Sequence, residues 1–71
     1  MWLKPKEIDR ALADSRFTRA EAAKEFEYRL PYINEVFDGR WEADEDLARL
    51  LLAAFGAAEM ASVIDWRRTA A

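Results

Sequence analysis

The stretch at residues 18–39, TRAEAAKEFEYRLPYINEVFDG, leaves this chain few folds to choose from. Thr18 and Glu21 stand in the S/T-x-x-E relation of a helix start. The threonine hydroxyl accepts from the third helical N–H, and the glutamate reaches back to the N–H of Thr18. Ala20, Ala22, Ala23 and Phe26 follow, a mostly small apolar face that lets a second helix cross close by. That second helix begins at about Arg29 or Leu30, with Pro31 in its first turn, where a missing N–H costs no intrahelical bond. Ile33 and Val36 form its inward seam. Gly39 supplies the left-handed residue that closes it. The pattern predicts a helix over 18–26, a turn over 27–29 and a helix over 30–38.

Elsewhere the periodicity is helical too. Ile8, Ala11 and Leu12 make the apolar stripe of a helix over 5–15, opened by Pro5. Asp44, Glu45 and Asp46 cluster at the start of a helix over 44–55, where the positive end of its dipole favours acids. Leu47, Leu50, Leu51, Ala54 and Phe55 form its wide apolar stripe. Gly56 ends it, and a last helix over 57–68 turns Met60, Val63, Ile64 and Ala57 inward. Seventy-one residues make one domain, 1–71, with 52% hydrophobic and 35% charged side chains, which excludes bulk disorder. The N-terminal MWLKPKEIDR has no long apolar run, so a cytoplasmic protein with no membrane span is expected.

The chain has no cysteine and no histidine. That removes disulfides, thiolate metal sites and a histidine-based triad. Asn34, Val36, Asp38, Gly39 and Glu45 fall on the spacing of a calcium loop, but valine offers no oxygen at the third position. No catalytic residue, no metal and no cofactor is therefore expected, and the chain is not read as an enzyme.

Residues 17–39 resemble the phage lambda repressor/Cro-like (XRE) helix-turn-helix family. Phe17, Thr18, Ala23, Ile33 and Gly39 fall on that family's positions without a gap. Arg19 takes its usual glutamine place and Ala22 its usual leucine place, and the likeness extends through residues 44–56. Three positions depart from the pattern. Glu27 stands where the turn usually has glycine, Arg29 where it has a small hydroxyl residue, and Phe37 near a usually charged position. The resemblance implies an all-α, compact five-helix lambda-repressor-like DNA-binding domain with the helix-turn-helix at helices two and three. It implies a small bacterial or phage transcriptional regulator or repressor, a homodimer on double-stranded operator DNA. In that family the start of helix three enters the major groove. Carried over by position, Arg16, Arg19, Arg29 and Asn34 become the DNA-binding residues.

Charge points the other way. The net charge is −3, and from Arg29 to Asp46 two basic residues face six acids. Nucleic-acid binders take most of their affinity from basic faces. Leu30, Asn34, Phe37 and Trp41 also follow at helical spacing, and an exposed row of that kind beside acids suits a protein partner. The alternative reading is thus a protein-binding module, such as a phage-encoded inhibitor, anti-repressor or antitoxin-like protein. Its interface would use Leu30, Phe37, Trp41 and Trp66, unless Leu30 and Phe37 close the core instead.

Overall fold

The computed structural model describes residues 1–70. Among them are six helices: α1 (Pro5–Asp14), α2 (Arg19–Phe26), α3 (Leu30–Phe37), α4 (Glu45–Phe55), α5 (Ala57–Val63) and α6 (Trp66–Ala70). The architecture is all-helical, with extents of 30 × 22 × 20 Å. α2 lies against α3, α1 crosses both α3 and α5, and α4 lies against α5.

The helix starts follow local chemistry. Pro5 opens α1. Thr18 and Glu21 form the reciprocal cap of α2, each bond 3.0 Å long. Phe17, just before that cap, meets Phe26 edge to face at 6.4 Å. Asp44 caps α4 by accepting the Leu47 N–H at 2.7 Å.

α2 and α3 end in the same way. After α2 the Tyr28 N–H reaches back to the Ala23 carbonyl, and the Glu27 N–H to that of Lys24. After α3 the Arg40 N–H reaches Glu35, and the Gly39 N–H reaches Val36. Each pair closes a helix through one left-handed residue, a place that favours glycine. Gly39 fills it with φ 77°, where a Cβ would press on Pro5 and the Leu3 carbonyl at 3.3 and 3.4 Å. Glu27 fills it with φ 61°, at a steric cost that glycine would not incur. Glu27→Gly is therefore expected to raise unfolding free energy by roughly 0.5–1 kcal/mol, after the added entropy of the unfolded chain is deducted. Urea denaturation measures it. A loss of stability would mean that the Glu27 side chain contributes more than its backbone costs.

The C-terminal region corrects the sequence expectation. One helix over 57–68 is predicted, making five in all, yet the chain leaves α5 at Ile64, where ψ is 132°. There it runs extended beside the N-terminal segment. Leu3 pairs antiparallel with Ile64 in an isolated bridge. The Lys4 N–H donates to Val63 and the Asp65 N–H donates to Trp2, both at 2.8 Å. Asp65 then restarts the helix, its Oδ1 accepting the Arg68 N–H at 3.3 Å. Backbone pairing with residues sixty positions away outweighs the local helical period.

One apolar cluster fills the interior. Its largest fully buried side chains include Phe37, Leu3, Ile8, Ile33, Leu47, Leu51 and Met60. Phe37 is wholly buried, so it is a core residue and no part of an interface. It stands one helical turn from Ile33 and shares its inward face. On α4, Leu47 and Leu51 are buried, whereas Leu50 and Ala54 are exposed, so the inward stripe is narrower than the sequence suggested. Ala57 is exposed as well.

Candidate functional site

A concavity of about 830 Å³ lies along α3. Three guanidiniums line it, each delivered by a different local device. Arg19 is the first residue of α2, set by the threonine cap. Arg29 is the N-cap of α3. Arg40 follows the glycine turn that ends α3. Asn34, Glu35 and Asp38 join them from α3 and its end, and Pro31, Tyr32 and Trp41 supply the apolar wall.

Two of the arginines are already engaged. Arg19 forks onto Asp9 of α1, with Nε and Nη2 each 3.1 Å from a carboxylate oxygen. Its Nη1 lies 2.9 Å from Asp38 and donates to the Asn34 side-chain oxygen at 3.3 Å. The guanidinium carbon sits 5.7 Å from the centre of the Phe37 ring, so the buried ring forms the floor beneath it. Burial works against the charge of Arg19, but the bonds from Asp9 and Asp38 outweigh it and the pKa rises. Arg40 forks onto Glu35 at 2.8 and 2.9 Å and reaches Asp38 at 3.1 Å. Asp38 thus joins the two arginines. The Arg40 hydrogen bonds hold Glu35 below its usual range, and the Arg19 bond does the same for Asp38. Arg29 is exposed and has no ion pair among the described residues.

Beside the concavity runs an aromatic row. Tyr28 and Tyr32 stack at 5.2 Å, and Tyr32 lies 5.9 Å from Trp41. Both tyrosines are anchored by Asp44: the Tyr28 hydroxyl donates to it at 2.8 Å and the Tyr32 hydroxyl at 3.3 Å. One carboxylate therefore caps α4 and ties it to the α2–α3 turn. The Leu47 N–H, with help from both tyrosines, lowers the Asp44 pKa against a smaller opposing desolvation. Burial of the Tyr28 phenol, with Asp44 beside it, pushes its pKa up to about 12.

Asp44→Ala removes the cap and the acceptor of two exposed tyrosine hydroxyls, an expected loss of about 1 kcal/mol, most of it from the cap. The pH profile carries the same signature. A depressed carboxylate stabilises above its unfolded pKa, about 3.9 for aspartate, and that stability is lost as pH falls through the folded value. Asp44, Asp38 and Glu35 all act in this direction, so the wild type loses stability below about pH 5. The substitution should shrink that acid limb. Tyr28 acts at the other end, contributing below about pH 10 and fading toward pH 12. Chemical denaturation across pH reads both limbs.

The expected DNA-binding residues divide. Arg19, Arg29 and Asn34 meet in the concavity; Arg16 does not. Arg16 is exposed in the α1–α2 connection with φ 55°. Of the expected protein-interface residues, Trp41 lines the concavity and is 51% exposed, Leu30 is 38% exposed outside it, and Phe37 is buried. Trp66 is 55% exposed on α6, its indole N–H donating to the Ala61 carbonyl at 2.9 Å. Sequence reasoning missed Arg40, Tyr32 and the Asp44 anchor. Glu35 and Arg40 lie five apart across a glycine turn, a spacing at which no helical pair meets. Tyr28 and Asp44 are joined only by the tertiary fold.

Among the described residues no helix is long and apolar enough to cross a membrane. No protein-family profile, curated protein or solved structure matches this chain.

Proposed function

We propose that the chain is a small helix-turn-helix transcriptional regulator that binds double-stranded DNA as a homodimer. In this reading α2 and α3 form the lambda-repressor-like pair, and α3 enters the major groove. The observation that carries it is the meeting of Arg19, Arg29 and Arg40 on one concave face along α3. Guanidiniums at the starts of two helices are well suited to phosphate, because backbone N–H groups there point the same way. Arg29, without an ion pair among the described residues, reaches phosphate directly and Arg19 does so by exchanging carboxylate partners, while Arg40 keeps its fork on Glu35.

The test is binding to mixed DNA fragments over a salt series. Two phosphate contacts per protomer, from Arg19 and Arg29, give a log–log slope of about −2 per protomer. Absence of binding at low salt would remove this reading.

A second reading, a protein-binding module, is favoured by one specific observation. Asp9, Glu35 and Asp38 neutralise much of the arginine charge, and Trp41 stands exposed beside them. A neutral, partly aromatic surface suits a protein partner better than a phosphate backbone. Salt-insensitive binding to a protein, with none to DNA, would establish it.

A further inference from the structure

Within the DNA-binding reading, we infer that Glu35 is the side chain that selects a base, and that the base is cytosine, recognised through its exocyclic amino group. Glu35 is the sixth residue of α3, about one-third exposed, and lines the concavity beside Arg29, Tyr32 and Asn34. An ionised carboxylate only accepts hydrogen bonds. Arg40 occupies one direction on each of its oxygens, at 2.9 and 2.8 Å, and a carboxylate oxygen has a second lone pair to offer.

The same fork solves the charge problem. A bare carboxylate entering a groove walled by phosphates is repelled. One paired face to face with a guanidinium is nearly neutral and held in one orientation. Asn34, the other polar side chain on this part of α3, already has its oxygen engaged by Arg19. Glu35 is left as the strong acceptor within α3, since Asp38 lies past the helix end and is shared by Arg19 and Arg40.

The bases answer an acceptor differently. In the major groove guanine shows two acceptors, and thymine shows an acceptor and a methyl group. Adenine places an acceptor beside its amino group. Cytosine alone offers a donor with no acceptor on the same base. A carboxylate therefore rejects guanine and thymine, tolerates adenine poorly and fits cytosine.

The experiment is selection of bound duplexes from a random-sequence pool by the wild type, Glu35→Gln, Glu35→Ala and a control, Glu59→Gln on α5. Circular dichroism verifies that each is folded. The wild type and control should enrich cytosine at one fixed position about tenfold, the lower part of the range for a good base contact. Glu35→Gln should shift that position to adenine, which pairs its amino group and ring nitrogen with an amide. Glu35→Ala should lose the preference there and keep the rest of the motif. An enriched motif identical in all four proteins overturns the cytosine assignment and leaves DNA binding standing. If none of the four proteins enriches duplexes, both the cytosine assignment and the DNA-binding reading are overturned.

Discussion

Replacing Phe37 with alanine is expected to cost about 3–5 kcal/mol, the range for truncating a buried aromatic side chain. A domain of this length holds roughly 4–10 kcal/mol in total, so the variant should sit close to its unfolding midpoint at room temperature. The physical reason is that Phe37 is among the largest side chains buried without remainder. It fills the space between α3 and the rest of the core, and its ring supports Arg19 from below. Collapse around the void is limited, because Ile33, Val36, Leu47 and Leu51 are themselves fully buried and close-packed. Urea denaturation followed by circular dichroism measures the loss. A change within about 0.5 kcal/mol, typical of a surface substitution, would mean that Phe37 faces outward after all. The same variant removes the ring 5.7 Å from the Arg19 guanidinium carbon and leaves Arg19 held by Asp9, Asp38 and Asn34.

The second large effect concerns binding. Arg29→Glu should lower DNA affinity by more than about a hundredfold. The loss of one charge-assisted contact accounts for much of it, and the new carboxylate adds repulsion from the phosphates. Arg29 is the most informative of the three arginines. Arg19 and Arg40 are held by carboxylates, so their removal also frees Asp9, Asp38 or Glu35 and changes several charges at once. Arg29 has no such partner among the described residues, and only its backbone carbonyl takes part in α3, accepting from Ile33 at 3.1 Å. An acid at that N-cap suits the helix dipole, so the melting temperature should hold or rise slightly. Fluorescence anisotropy with labelled duplexes reads the affinity, and a thermal melt verifies the fold. Unchanged affinity would show that α3 is not the DNA-contacting element.

These two side chains also mark how far the sequence could be read. α3 carries two apolar rows at helical spacing, Ile33 with Val36 and Leu30 with Phe37. Spacing alone does not say whether a short helix buries one row or parts of both. The structure buries Ile33, Val36 and Phe37 and leaves Leu30 exposed, because α2 and α1, the helices packed against α3, cover only part of its surface. Arg29 was legible as exposed and near a helix start, since both follow from its neighbours Leu30 and Pro31.

What the sequence determined by itself is the set of helix starts and stops up to residue 56. The Thr18–Glu21 cap, Pro5, Pro31, Asp44 and Gly39 act within a few residues of themselves, and short-range hydrogen bonding and backbone sterics decide them without help from the fold. Only the tertiary structure decided the rest. It broke the last helix at Ile64 by pairing it with Leu3, and it made Asp44 the anchor of two tyrosines. It also set Arg19 and Arg40 against Asp9, Glu35 and Asp38. Most of these contacts join residues ten or more positions apart, where no local periodicity specifies a partner, and they form only once the apolar cluster has fixed how the helices cross.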